Sequence, residues 1–119
     1  MKTAELAGAA LDWAVAKCEG YAFNGKAFTR NNPLDDGALE HIWLASYLPS
    51  TNWAQGGPII ERESICIDQL GDNSKWCATT RKDKNAPWLY AKSPLIAAMR
   101  CYVSSQLGDE VDIPKELTE

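Results

Sequence analysis

Two apolar stripes at helical spacing, one towards each end of the chain, constrain the fold more than any other feature. The first follows the i, i+3, i+4 spacing of a helix with one buried face, through Ala7, Ala10, Leu11, Ala14, Val15 and Cys18. The second has the same spacing, through Leu95, Ile96, Met99, Tyr102, Val103 and Leu107. Thr3 is expected to cap the first helix and Gly20 to follow it, whereas Ser93 and Pro94 open the second. The sequence therefore predicts two helices that share one core.

The chain between these helices predicts a small antiparallel sheet. Ile65 and Ile67 alternate with less apolar residues, and further strands are expected at Lys75–Thr80 and Trp88–Ala91. Gly71-Asp72-Asn73 has the composition of a turn. The predicted fold class is α+β, with two helices packed on one face of a small antiparallel sheet in two layers.

Residues 21–48 are less regular. A short strand is expected around Asn24-Gly25, a dipeptide typical of hairpin turns, because aromatic residues flank it at Tyr21, Phe23 and Phe28. Asn31-Asn32-Pro33 and Asp35-Asp36-Gly37 have turn chemistry, so residues 21–37 are expected to form a loop over the surface. Residues 38–48 fit either a short helix or a strand at Ile42-Trp43-Leu44, and we favour an irregular or short helical segment.

Length and composition fit one soluble domain spanning residues 1–119. With 119 residues, of which 45% are hydrophobic, the chain can form one core. No apolar run approaches the roughly 20 residues that cross a bilayer. Asp12, Trp13 and Lys17 interrupt the N-terminal apolar stretch, so we interpret it as a helix of the domain rather than a signal peptide. These features predict a cytosolic protein with no membrane contact.

The net charge of −4 is unevenly distributed. Residues 109–119 form an acidic C-terminal tail, which opposes binding to duplex DNA. Residues 75–100 are basic, with Lys75, Arg81, Lys82, Lys84, Lys92 and Arg100. Solvated turns explain this asymmetry, but a basic surface could also attract a small anion.

The sequence offers little catalytic chemistry. His41 is the one histidine, no nucleotide-binding or metalloenzyme motif occurs, and no Cys-x-x-Cys pair exists among Cys18, Cys66, Cys77 and Cys101. We expect reduced thiols, no metal and no cofactor. Neighbouring carboxylates could act as acid and base, but all three pairs lie where exposed acids are routine: Asp35/Asp36, Glu61/Glu63 and Asp109/Glu110. The expectation is a protein without enzymatic activity.

Residues 49–62 form the most unusual segment, in which turn residues surround a tryptophan. Trp53 could stack on a planar ligand, Pro58 is expected to start a helical turn, and the glycines before it would expose backbone N–H groups to an anion. The predicted ligand site consists of Asn52, Trp53, Gln55, Gly56, Gly57, Arg62, Arg81 and Arg100. The alternative is that Trp53 holds the loop onto the core, where we also expect Trp13 and Trp43 and, by preference, Trp76 and Trp88.

Three blocks of the sequence resemble the NinX-type family of small phage and prophage proteins. They are LDWAVAKCEG (Leu11–Gly20), PSTNWAQGGPIIERE (Pro49–Glu63) and SPLIAAMRCYVSSQLGDEVDIP (Ser93–Pro114), in that order. The family has no known activity. The resemblance therefore implies phage origin and expression in the host cytoplasm, and implies no reaction.

Two functions remain for a phage accessory protein of this kind. The first is non-enzymatic binding of a small anionic or nucleotide-like ligand during infection, which we favour because of the Trp53 segment and the basic residues. The second is a protein-interaction module that modulates a host or phage enzyme. Hydrolysis by an acidic pair has the least support. Homo-oligomerisation stays open.

Overall fold

The computed structural model describes residues 1–31, 37–71 and 75–117. In these residues the helices are α1 (Gly8–Cys18), α2 (Trp53–Arg62) and α3 (Pro94–Leu107). The strands are β1 (Ala22–Phe23), β2 (Ala27–Asn31), β3 (Leu39–Trp43), β4 (Ile65–Leu70), β5 (Lys75–Thr80) and β6 (Leu89–Ala91). The Asp35/Asp36 pair and the turn expected at Asp72-Asn73 lie outside the described residues.

The strands form two antiparallel sheets of three strands each, in the orders β1-β2-β3 and β4-β5-β6. The predicted α+β class is confirmed, but the prediction of two helices and one sheet is wrong. The described residues add α2 and the β1–β3 sheet. β2 shows no alternation of burial, and an inward position of β3 is the charged Glu40, which pairs with Arg30 across the two strands at 2.9 Å, so neither strand has the apolar alternation that identifies a strand in sequence.

Helix α3 is the centre of the molecule, since it packs on β4–β6 and contacts both α1 and α2. Ser93 caps it as predicted, accepting a hydrogen bond from the backbone N–H of Ile96, and Pro94 occupies its first turn. The apolar stripes meet in one buried cluster that includes Leu11, Val15, Met99 and Val103. The prediction that these four residues share a core is confirmed.

The start of the chain departs from the prediction. Thr3 does not cap α1; it begins a short 3-10 turn, and α1 starts after Ala7 with no side-chain cap. The Thr3 hydroxyl instead donates to the carbonyl oxygen of Gly108 at 2.7 Å. Val111 is buried and its N–H donates to the Met1 carbonyl. The acidic segment that begins at residue 109 is therefore packed against the N-terminal segment at its start.

Residues 39–43 form a strand, so the preference for a helical segment is wrong there. The hairpin turn expected at Asn24-Gly25 is confirmed between β1 and β2, but the expected surface loop is wrong for β2, where Ala27 and Phe28 are buried. Among residues 1–31, 37–71 and 75–117, β3 pairs with β2 alone and is an edge strand of its sheet. Exposure alternates along it, with Leu39, His41 and Trp43 outward. A 3-10 turn at Leu44–Ser46 follows and leads towards α2.

In the part of the chain that the structure describes, the helices are too short or too polar to span a bilayer.

Candidate functional site

The segment predicted to be a ligand-binding loop is a helix. Asn52 caps α2 by accepting a hydrogen bond from the N–H of Ala54 at 2.8 Å, and the helix continues through Pro58 to Arg62. The placement of Pro58 at the start of a helical turn is therefore wrong. The N–H of Gly56 donates to the Asn52 carbonyl at 2.9 Å, so it is not free for an anion. The phosphate-binding Gly-Gly turn that the sequence suggested does not exist.

The two glycines of α2 have different surroundings. A Cβ atom on Gly56 would lie 2.4 Å from the Pro49 carbonyl oxygen and 2.6 Å from Cδ1 of Leu95, whereas one on Gly57 would meet nothing within 4 Å. Gly56 therefore allows α2 to approach α3 and the preceding loop closely. Packing, rather than contact with a ligand, explains the glycine at position 56.

The polar side chains of the predicted site fold the segment itself. Gln55 accepts a hydrogen bond from the Leu48 N–H at 2.6 Å and donates one to the Ser46 carbonyl at 2.9 Å. Asn52 is occupied as the helix cap. Both side-chain amides are already hydrogen-bonded to the backbone, and they fix the segment that leads into α2.

Arg62 lies in a polar network that joins the ends of α1 and α2 to α3. Its guanidinium binds the Glu19 carboxylate with two hydrogen bonds, at 2.6 and 3.1 Å, and contacts Glu63 at 2.8 Å. Tyr102 donates to Glu19 at 2.5 Å and accepts from Arg62 at 3.2 Å. Hydrogen bonding to Glu19 raises the pKa of Arg62, and burial raises the pKa of Tyr102. The network stabilises the fold and already provides the arginine with its anion.

The other two predicted arginines lie elsewhere. Arg100 donates to the backbone carbonyls of Leu6 at 2.7 Å and Tyr90 at 2.6 Å, and desolvation lowers its pKa. Arg81 is exposed, with Cys66 Sγ at 4.0 Å from its guanidinium. Arg62 is nine residues beyond Trp53, about 13 Å along the axis of α2. The structure therefore does not bring the predicted set together.

Tryptophan burial also differs from the prediction. Trp53 is 53% exposed, so the idea that it pins a loop to the core is wrong. Trp43 and Trp88, expected inside, are 59% and 43% exposed. Trp13 is buried as expected, and Trp76 is partly buried against the core.

Exposed apolar residues are concentrated in one stretch of chain. Leu39, Trp43, Leu48 and Trp53 are half of the eight large hydrophobic residues that are exposed in the described ranges. We call these four residues the 39–53 surface. It runs from the edge strand β3 to the first residue of α2. Contiguous exposed apolar patches mark interaction sites, whereas singly exposed apolar residues are ordinary, so the case for this stretch of chain depends on its two exposed tryptophans, Trp43 and Trp53.

A groove of about 390 Å³, which we call the Asp12 groove, opens beside Leu48. The other residues that line it are Gly8, Ala9, Asp12, Leu44, Ala45 and Thr51. Asp12 is 2% exposed, and its Oδ1 accepts the N–H of Ser50 at 2.9 Å. The Ser50 side chain is buried beside the same carboxylate and does not line the groove. Burial raises the pKa of Asp12, because the charged carboxylate loses hydration. The signal in the sequence was a carboxylate within an apolar helix, which we used only to argue against a signal peptide.

A second, aromatic cleft of about 510 Å³ lies at the other end of α1. Four of the nine residues that line it are aromatic, and Lys17 Nζ lies 5.3 Å from the centre of the Trp13 ring. The residues that line it are Trp13, Lys17, Tyr21, Phe23, Asn24, Gly25, Phe28, Pro114 and Glu116. Sequence reasoning missed this cleft because its residues come from three separate segments.

The side chains that the sequence offered for catalysis or metal binding include His41 and four cysteines. His41 is exposed, and its ring meets the edge of Trp43 at a centroid distance of 4.8 Å. All four cysteines are free, and burial raises the pKa of Cys18 to about 12 and that of Cys101 to about 11. No three metal-ligating side chains cluster in residues 1–31, 37–71 and 75–117.

A protein-family model described as Bacteriophage P22, NinX matches residues 2–106. No curated protein matches the chain. The 39–53 surface and the Asp12 groove lie inside the matched range, whereas the Pro114–Glu116 wall of the aromatic cleft lies outside it.

Proposed function

Because the chain belongs to the bacteriophage P22 NinX family, we propose that this phage accessory protein is a non-enzymatic interaction module. It acts in the host cytoplasm by binding a host or phage protein through the 39–53 surface. The observation that carries the proposal is the exposure of Trp43 and Trp53, at 59% and 53%, on a short stretch of chain. Tryptophan is among the residues that most often dominate the binding energy of protein interfaces.

The edge strand β3 gives the surface a second means of binding. In the described part of the chain this strand pairs with β2 only. Its other edge is therefore open to a strand from a partner protein. Natural proteins usually protect such edges with charges or prolines, and here Leu39 and Trp43 flank the exposed His41 instead. An extended segment of a partner could pair with β3 while its side chains contact the two apolar residues.

The Asp12 groove specifies the chemistry of the partner further. The Asp12 carboxylate lines the groove, and its Oδ1 accepts the N–H of Ser50. A hydrogen-bond donor from a partner that reached this carboxylate would offset part of the hydration that Asp12 loses on burial. The groove therefore suits an apolar side chain that ends in a hydrogen-bond donor, such as lysine or tyrosine.

A small anionic ligand at α2, the preference from sequence, is less well supported. Its glycines are helical, and Arg62 and Arg100 already bind Glu19 and backbone carbonyls, respectively. A ligand would have to displace these partners before it gained any contact.

The test is quantitative binding with matched tryptophan variants. Partners are captured from infected cells on immobilised protein, purified, and titrated by calorimetry with wild type, Trp43→Ser, Trp53→Ser and Trp88→Ser. We expect the first two changes to weaken binding by about thirtyfold or more, the effect of an interface hot spot. Trp88 is 43% exposed and lies outside the 39–53 surface, so its variant should bind like wild type.

Two results would overturn the proposal. One is a purified partner that binds all four proteins equally. The other is light scattering that shows a wild-type oligomer dissociated by Trp43→Ser or Trp53→Ser. That outcome would make the 39–53 surface a contact between copies of this chain.

A further inference from the structure

The aromatic cleft has the size and lining of a small-molecule site. Its volume of about 510 Å³ is within the range of about 300–1,000 Å³ typical of ligand pockets. Tyr21, Phe23 and Phe28 contribute rings that pack on one another, with the Phe23 and Phe28 centroids 4.9 Å apart. Trp13 forms the wall from α1. Because Phe28 and Trp13 are buried, the half-buried rings of Tyr21 and Phe23 offer most of the aromatic surface that a planar apolar group could contact.

The two charged residues that line the cleft have opposite signs. Lys17 and Glu116 are both exposed, both line the cleft, and neither has an ion-pair partner within the described residues. One cation and one anion together match a zwitterion. A phosphate with about two negative charges would meet the Glu116 carboxylate as well as the single lysine, so a nucleotide is a poor match.

We propose that the aromatic cleft binds a free aromatic α-amino acid. The ring of the ligand lies against Trp13, Tyr21 and Phe23, its carboxylate pairs with Lys17, and its ammonium pairs with Glu116. This site is separate from the 39–53 surface and does not depend on the proposed protein partner. The competing explanation is that Lys17 only covers the Trp13 ring and that Glu116 is a solvated surface acid.

The experiment pairs each charge in the cleft with a matched change in the ligand. Phenylalanine, 3-phenylpropionate (which lacks the ammonium), phenethylamine (which lacks the carboxylate) and AMP are titrated by calorimetry. The proteins are wild type, Lys17→Met and Glu116→Gln. We expect phenylalanine to bind wild type at least tenfold more tightly than the other three ligands. Lys17→Met should weaken phenylalanine about tenfold and leave phenethylamine unchanged, and Glu116→Gln should leave 3-phenylpropionate unchanged.

Exposed residues remote from the cleft serve as controls. Lys84→Met and Glu61→Gln make the same charge changes elsewhere and should bind like wild type. Because Lys17 and Glu116 are exposed, thermal melts should show all four variants folded. No binding of phenylalanine at about 5 mM overturns the proposal, as does tighter binding of AMP. The proposal is also overturned if the cleft variants and the remote controls lose the same affinity for phenylalanine.

Discussion

The region where the three helices meet and the 39–53 surface differ in how completely folding explains their residues. Around α3, Gly56 is required by close contact, Arg62 is bound by Glu19, and Leu11 is fully buried. On the 39–53 surface, Leu39 and Trp43 are mostly exposed and contribute little to the core. Exposed apolar side chains lower solubility, and these two do not compensate by packing in the core. A role in binding explains them more simply than a role in folding does.

The largest expected difference between the two regions is in stability. Leu11→Ala should lower the free energy of unfolding by about 2–5 kcal/mol, because a fully buried side chain leaves a cavity. Leu39→Ala, at a residue that is 71% exposed, should change it by less than about 0.5 kcal/mol. Urea denaturation of both variants measures the two values. Equal midpoints would remove the distinction on which the proposed function depends.

The adjacent glycines of α2 sharpen the same comparison within one helix. Gly56→Ala should destabilise by about 1–3 kcal/mol, because its methyl group would collide with the Pro49 carbonyl oxygen and Leu95. Gly57→Ala should change the free energy of unfolding by less than about 0.5 kcal/mol, because its methyl group meets nothing beyond its chain neighbours, but the gain in helix propensity is opposed by contact with the ring of Pro58. Thermal melts of the pair decide the matter, and a stabilised Gly56→Ala would contradict the packing described for α2.

Acid should weaken the helical region through Glu63. Hydrogen bonding to Arg62 lowers the pKa of Glu63 below its usual value. The stabilisation is therefore complete above the unfolded-state pKa of about 4.3 and is lost as pH falls through the lower folded-state pKa. Unfolding midpoints between about pH 2 and 7 should fall less steeply on acidification for Glu63→Gln than for wild type. The exposed Glu61→Gln serves as control, and a wild-type slope in Glu63→Gln would contradict the assignment.

Trp53→Ala gives the smallest expected effect on folding. Because about half of the side chain is in solvent, the free energy of unfolding should change by less than about 0.5 kcal/mol. Trp13→Ala makes the same substitution in the interior and should cost about 3–5 kcal/mol. Calorimetric melts of both variants compare the two. A large loss of stability in Trp53→Ala would show that the Trp53 side chain contributes to the core, and it would weaken the argument for the proposed function.

The sequence predicted the elements whose stability is encoded locally. The stripe of α3 and its Ser93-Pro94 start agree with the structure, as do the β4–β6 strands and the Asn24-Gly25 hairpin. These features depend on spacing, capping and turn chemistry, which a short window of sequence contains. The family was also recognisable from three blocks, and residues 2–106 match it.

The candidate sites depended on contacts that no short window contains. Gly56 and Pro58 argue locally against a helix, but the Asn52 cap and packing on Leu95 outweigh that preference. The partner of Arg62 is Glu19, 43 residues away along the chain. Spacing alone could not show that this arginine is already bound, which is why the predicted ligand site was assembled from residues that the fold separates.

The packing of α1 against α3 has a consequence for synthesis of the protein. The ribosome completes α1 long before α3. The apolar stripe of α1, which α3 covers in the folded protein, is therefore exposed while the central segments are synthesised. Pairing of such distant segments is slow compared with formation of local structure. Three of the buried residues of α1 are alanines, Ala10, Ala14 and Ala16, which expose little apolar area during that interval. The small side chains that fit α1 closely to α3 thus also limit how strongly the nascent chain attracts other chains before it is complete.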